Sequence, residues 1–189
     1  SAAGSCAFYV YTTYMQKFLI NSAAGPLGEG FSKEQASQIM LVVLVTFMIL
    51  QPLAGWLSDL VGRRSMLIGS FGLGAAAAYP IHKLLLTAST LMEAVALCTI
   101  PLVILSGYTA VSAIFKAELF PAHVRSLGVG LPYAVASAFF SGNAESGALW
   151  FKHAGNESGF YLVLTGLLAT AFLASVLMKD SKRHSRILE

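Results

Sequence analysis

The chain has 189 residues, of which 56% are hydrophobic and only 11% charged, with a net charge of +3 and a mean hydropathy of +0.70. Soluble domains carry roughly 25% charged residues, so a chain this apolar could not cover a water-facing surface, and a soluble enzyme and a disordered chain are both excluded. The small positive charge does not point to nucleic acid, and Cys6 and Cys98 fall in apolar runs with neither metal spacing nor a disulfide framework.

Charged residues are missing from 1–16, 35–58, 65–82, 94–115, 126–144 and 158–178. A bilayer-spanning helix needs about 20 mostly apolar residues. In hydrocarbon every backbone polar group must be satisfied internally, so only helices or a closed barrel can span. Continuous runs without alternation of period two favour helices. The sequence therefore predicts an all-α membrane protein of six transmembrane helices. The spans are 1–20, 36–57, 65–86, 91–113, 126–149 and 158–178, followed by a tail at 179–189.

The loops after spans 2 and 4 and the tail carry Arg63, Arg64, Lys116, Arg125, Lys179, Lys182, Arg183 and Arg186. Cytoplasmic loops hold the excess of Lys and Arg, which places the carboxyl terminus in the cytoplasm and the Gly-rich 21–35 loop outside. The chain begins Ser-Ala-Ala-Gly without Met or a basic leader, and span 1 ends near Ile20. We read residues 1–189 as a fragment whose upstream part lies outside this sequence. Spans 1–3 and 4–6 form two groups of three, and an odd number of crossings inverts the second. Inverted three-helix repeats are typical of secondary transporters.

Between spans 2 and 3 the chain reads Gly55-Trp-Leu-Ser-Asp59-Leu-Val-Gly62-Arg63-Arg64. Gly55 suits close helix packing, and Gly62 suits a sharp turn. Asp59 can accept N–H groups at a neighbouring helix N-terminus. Arg63 and Arg64 can pair with carboxylates or with lipid phosphates. Between spans 4 and 5 it reads Lys116-Ala-Glu118-Leu-Phe-Pro121-Ala-His-Val-Arg125. Pro121 ends a helix, and Glu118 can pair either with Arg125 or with the first loop.

These two loops resemble the signatures of the major facilitator superfamily, except that Leu60 stands where the family usually has a basic residue. The segments Ala117-Glu-Leu-Phe-Pro, Val124-Arg-Ser-Leu-Gly-Val-Gly-Leu-Pro-Tyr-Ala-Val-Ala, Thr12-Thr-Tyr-Met-Gln-Lys17-Phe-Leu-Ile-Asn21 and Asn143-Ala-Glu145 are similar to the metabolite:proton symporter family, and within it to the bacterial α-ketoglutarate permeases. The resemblance covers essentially the whole chain but only the carboxyl-terminal half of such a carrier. It implies a six-helix bundle that is half of a twelve-helix fold, with a missing amino-terminal half as partner. It also implies the bacterial inner membrane, an organic anion such as α-ketoglutarate as substrate, and a proton as coupling ion.

Span 1 carries a polar stripe. Tyr9, Thr12, Thr13, Gln16 and Lys17 recur at helical spacing, with Tyr11 and Tyr14 on its flank. Such a face in hydrocarbon serves either a substrate path or interhelical packing. Lys17 is either an anion ligand or a snorkelling lysine at the interface. Glu145 is either a proton carrier or gate, or an interfacial acid paired with Lys152. Asn143 lies beside it. Tyr108 and Tyr133 sit in the inner half of spans 4 and 5, as substrate donors or helix-to-helix hydrogen bonds. His82 and Lys83 read as a wet rim at the end of span 3. Pro52, Pro80, Pro101 and Pro132 interrupt four spans, and Gly69, Gly72, Gly74 and Ala75–Ala78 form a smooth packing face.

No enzymatic, phosphate-binding or zinc motif is present in the sequence. The leading reading is a proton-coupled carrier working by alternating access, with no cofactor and inactive as this half alone. The alternative is a non-transporting six-helix membrane subunit that acts by assembly.

Overall fold

The computed structural model describes residues 1–178 except Leu27, Leu119 and Ala122. The basic tail residues Lys179, Lys182, Arg183 and Arg186 lie outside the described residues. The described residues form six helical runs and no strand. The run α1 comprises Ala2–Tyr9, a π-helical turn Val10–Tyr14 and Met15–Asn21. It is followed by α2 (Lys33–Val61), α3 (Arg63–Thr87) and α4 (Leu91–Glu118). The run α5 comprises Arg125–Ala136, a second π-helical turn Ser137–Ser141 and Ala144–His153, and α6 is Glu157–Leu177. The helices α2, α4 and α6 are each long and apolar enough to cross a membrane.

Local chemistry sets the ends. Ser32 caps α2 by accepting from the Gln35 N–H at 3.1 Å, while the Gln35 side chain accepts from the Ser32 N–H at 3.0 Å. This reciprocal box fixes the start at Lys33. Thr90 and Glu93 make the same exchange at the start of α4. Gly62 alone separates α2 from α3, with φ +97. Its N–H donates to the carbonyl of Ser58 at 2.9 Å and its carbonyl accepts from Met66 at 3.1 Å. One residue can close one helix and open the next only at a backbone conformation that suits glycine.

Two expectations need correction. The sequence ends span 4 at 113, but α4 runs to Glu118 because nothing breaks a helix before Pro121. Lys116 and Glu118 are thus in the last helical turn rather than in a loop. The wet-rim reading of His82 fails: it lies inside α3, five residues before its end, and is fully buried. Its ring stacks on Tyr161 with centroids 3.8 Å apart and tilts against Phe18 at 5.3 Å.

The core centres on α1, where Val10, Tyr11, Tyr14, Met15, Phe18 and Leu19 are all buried. The packing has the symmetry expected of two inverted repeats. The helix α1 leans on α5 and α6, and α4 leans on α2 and α3; exchanging the first three helices for the last three maps one set onto the other. The central pair is α3 with α6. There the smooth face does its packing, with the Cβ positions of Gly72 and Gly74 against Phe172 and Leu168. Along the outside, α2 exposes Leu41, Met48, Ile49, Leu53, Trp56 and Leu60, and α5 exposes Leu127, Leu131, Phe139 and Trp150. Side chains of this kind belong against lipid or another protein surface, not water. The segment Arg125–Ala136 buries none of its residues against the rest of the chain.

Candidate functional site

A cleft of about 440 Å³ runs between α1, α4 and α5. Ser5, Phe8 and Tyr9 line it from α1; Tyr108, Thr109 and Ser112 from α4; Tyr133, Ser137 and Ser141 from α5. Every lining side chain except Phe8 carries a hydroxyl. Each hydroxyl can donate one hydrogen bond and accept others, so the walls can hold an oxygen-rich solute without fixed charge. Ser141 Oγ is buried and has no hydrogen-bond partner among the described residues. Thr109 Oγ1 donates to Gln51 Oε1 of α2 at 3.1 Å. Close approach of α1 builds the wall, because a Cβ on Gly4 would overlap the Tyr108 ring.

Through Tyr9 the cleft adjoins a charged triad. Lys17 forms an ion pair with Glu145 of α5, and Tyr9 donates its hydroxyl hydrogen to the other carboxylate oxygen at 3.0 Å. The π turn of α1 explains how two residues eight apart reach one carboxylate. Eight residues of regular α-helix rotate about 80° past two full turns. A turn with i→i+5 bonding holds more residues and reduces that offset. Glu145 is itself placed by the second π turn, which ends at Ser141, and by the bend at Gly142 and Asn143. The second π turn packs against Ala2–Tyr9 of α1, and the first, Val10–Tyr14, meets Ala144–His153 of α5.

Lys152, the alternative partner of Glu145, is engaged elsewhere. Its ammonium donates to Ser22 Oγ at 2.9 Å and to the Asn21 carbonyl at 3.0 Å.

The remaining stripe residues diverge. Gln16 donates to Ser37 Oγ of α2 at 2.8 Å. Thr12 bonds back to the Phe8 carbonyl at 2.5 Å, and Thr13 is exposed. Tyr11 is buried in the core, on the side away from Tyr9. Asn143 is exposed and donates to the Phe139 carbonyl at 2.8 Å. The structure thus joins Lys17 and Glu145 to Tyr9, and sets Tyr9, Tyr108 and Tyr133 on one cleft, but leaves Tyr11, Thr12, Thr13, Gln16 and Asn143 out of both groups.

Over two of the cleft's tyrosines lies a residue that sequence reading assigned to a loop. The Lys116 ammonium sits over the Tyr133 ring, 4.4 Å from its centroid, and 5.8 Å from that of Tyr108. Such contacts hold a cation without neutralising it. The lining serines were also missed. Ser5 with Tyr9, Ser137 with Ser141, and Tyr108 with Ser112 are each four apart, the spacing that revealed the stripe in α1.

The two loop motifs meet at Glu118. Arg63 forms an ion pair with Glu118, which is buried. Glu118 therefore pairs with the first loop, one of its two expected partners. Arg64 donates to the last carbonyls of α6, at 2.6 Å to Val176 and 3.4 Å to Ser175. A basic side chain at a helix C-terminus satisfies orphan carbonyls and meets the negative end of the dipole. Arg125 donates Nε to the Phe120 carbonyl at 3.3 Å, next to Pro121. Asp59 is exposed one turn before Gly62. Gly55 has open space where a Cβ would stand, so the close packing it suits is not made within the described residues. Among the described residues no group of three or more His, Cys, Asp or Glu gathers to hold a metal.

Comparison with known proteins agrees with this architecture. The chain is 44% identical over 187 residues to the alpha-ketoglutarate permease of Escherichia coli (strain K12), covering 99% of this chain and 42% of that protein. It is 30% identical over 179 residues to a citrate-proton symporter of Klebsiella pneumoniae, covering 91% and 39%. It is 24% identical over 184 residues to the proline/betaine transporter of Salmonella typhimurium, covering 95% and 34%. The chain thus spans less than half the length of these relatives. The Major Facilitator Superfamily matches residues 6–188, and the chain belongs to that family.

Proposed function

We propose that this chain forms the carboxyl-terminal half of a proton-coupled carrier for a small organic acid, α-ketoglutarate or a related dicarboxylate. The carrier works by alternating access in the bacterial inner membrane, with its carboxyl terminus in the cytoplasm. The observation that carries the reading is the Lys17–Glu145–Tyr9 triad, joined through Tyr9 to a hydroxyl-lined cleft.

The triad supplies a coupling rule. With Glu145 ionised, Lys17 is neutralised and has little to offer an anion. A proton on Glu145 removes that charge, and Lys17 becomes free to bind a substrate carboxylate. Proton and anion then favour each other's binding, and by linkage the effect is reciprocal. The hydroxyls of Ser5, Tyr108, Ser112, Tyr133 and Ser137 solvate the remaining oxygens without a second strong charge that would trap the substrate.

The Gly62 turn belongs to the conformational change. Through Arg63 and Arg64 it fastens the ends of α4 and α6 on the cytoplasmic side, remote from the triad. The uncovered apolar face of α5 and the open Gly55 fit a partner six-helix half across the cleft. The test is counterflow of labelled α-ketoglutarate in proteoliposomes of the full-length carrier. A carrier gives transient accumulation against unlabelled internal substrate, whereas a subunit acting only by assembly gives none.

A further inference from the structure

We propose that Lys116 is the carboxylate ligand at the cytoplasmic end of the cleft, forming an anion subsite separate from the Lys17–Glu145 end. The inference rests on the carrier reading and adds to it a second, differently controlled cation.

The two lysines differ in their surroundings. Lys17 is held by a carboxylate, while Lys116 has no carboxylate partner among the described residues and rests on two aromatic faces. The nearest acid in sequence, Glu118, is two residues on. Positions two apart on a helix face different ways, and Glu118 is taken by Arg63. Among the described residues Lys116 is therefore a cation held by aromatic faces without a neutralising carboxylate.

The cavities lead to it. A second cavity of about 180 Å³ is lined by Lys116 and shares Tyr108 and Ser112 with the main cleft. Ser112 lies four residues before Lys116, on the same face of α4. An ammonium and a hydroxyl one turn apart suit the two oxygens of one carboxylate. The helices α1 and α4 are separated by an odd number of crossings and run antiparallel. Lys17 and Lys116, each in the last turns of its helix, thus mark opposite ends of the path. A carboxylate leaving the triad has Lys116 as its next cation, and extracting that ammonium from between Tyr108 and Tyr133 loosens α4 from α5 where the cytoplasmic side must open.

The experiment uses the full-length carrier in right-side-out and inside-out membrane vesicles, with labelled α-ketoglutarate as probe. Lys116→Gln is expected to raise the half-saturation concentration on the cytoplasmic side about tenfold or more, the cost of removing one partner of a desolvated charge pair. The external value should stay within about threefold, and Lys116→Arg, which keeps the charge but not the shape of the ammonium, should restore part of the cytoplasmic affinity. Thermal melting of each variant in detergent checks folding. Unchanged half-saturation on both sides, or an equal loss on both, overturns the subsite while leaving the carrier reading intact. A wild-type carrier that moves no labelled acid overturns the carrier reading and the subsite together.

Discussion

Lys17 and Glu145 are joined in an ion pair across 128 residues of chain, and Tyr9 completes the contact from one face of the same helix. Fastened in this way, α1 and α5 enclose the cleft between them, and a charge change at Glu145 acts on both helices at once.

The first prediction concerns pH. Protonating Glu145 frees Lys17, so the affinity of the full-length carrier for its anion should rise as external pH falls. Glu145→Gln mimics the protonated state permanently. It should flatten that pH dependence and cut uptake driven by a pH gradient by about tenfold or more, the range of ordinary coupling energies. Exchange at saturating substrate should persist. Half-saturation measured at several pH values checks this; a variant that keeps the wild-type pH slope would remove Glu145 from the coupling.

A second prediction separates conformational from ligand roles. Arg63 and Glu118 pair where the two loop motifs meet, and Glu118 is 5% exposed. Arg63→Met leaves a buried carboxylate without its cation, a loss of about 3–5 kcal/mol in a well-buried pair. The melting temperature should fall, and Arg63→Lys should recover part of it. Asp59→Asn should slow transport while substrate affinity stays within about threefold, well under one tenfold step of 1.4 kcal/mol. Loss of affinity by orders of magnitude with normal exchange at saturation would place the motif in the binding site instead.

Gly62 supplies a third. Its φ of +97 with ψ 141 lies where L side chains are strained. Gly62→Ala should cost about 1–3 kcal/mol, visible as a lower melting temperature. The space around its Cβ is open, so the loss reports backbone strain and not a clash. Gly55→Ala, with equally open space and no positive φ, should fold normally within this half.

Sidedness gives a fourth. Ser32 is exposed in the loop between α1 and α2, and Cys6 and Cys98 are buried. A Ser32→Cys variant should react with an impermeant maleimide from the external side only. Reaction from the cytoplasmic side alone would invert the topology and every placement that depends on it.

Much of the fold was legible because a bilayer imposes simple composition rules. Six charge-free runs became six helices, and Gly62 was readable as a turn from its place between two apolar spans. What failed, failed for local reasons. Span 4 was drawn from a charge-free run that ends just before Lys116, which put Lys116 in a loop, although nothing before Pro121 stops the helix. His82 ended a charge-free run and was read as a rim, but α3 continues past it to Thr87. Tyr11 was grouped with Tyr9 although two residues apart on a helix rotate about 200°. The π turns had no sequence signature. They arise where α1 and α5 press together, and only tertiary packing reveals that Tyr9 and Lys17 share one carboxylate.

The most direct test of the account is simultaneous measurement of labelled α-ketoglutarate uptake and proton entry in proteoliposomes of the full-length carrier, under an imposed pH gradient with no substrate gradient. The account predicts accumulation of the acid above its external concentration, accompanied by proton entry, with both lost in Glu145→Gln while counterflow continues. Accumulation that ignores the gradient, or that survives unchanged in Glu145→Gln, would contradict it.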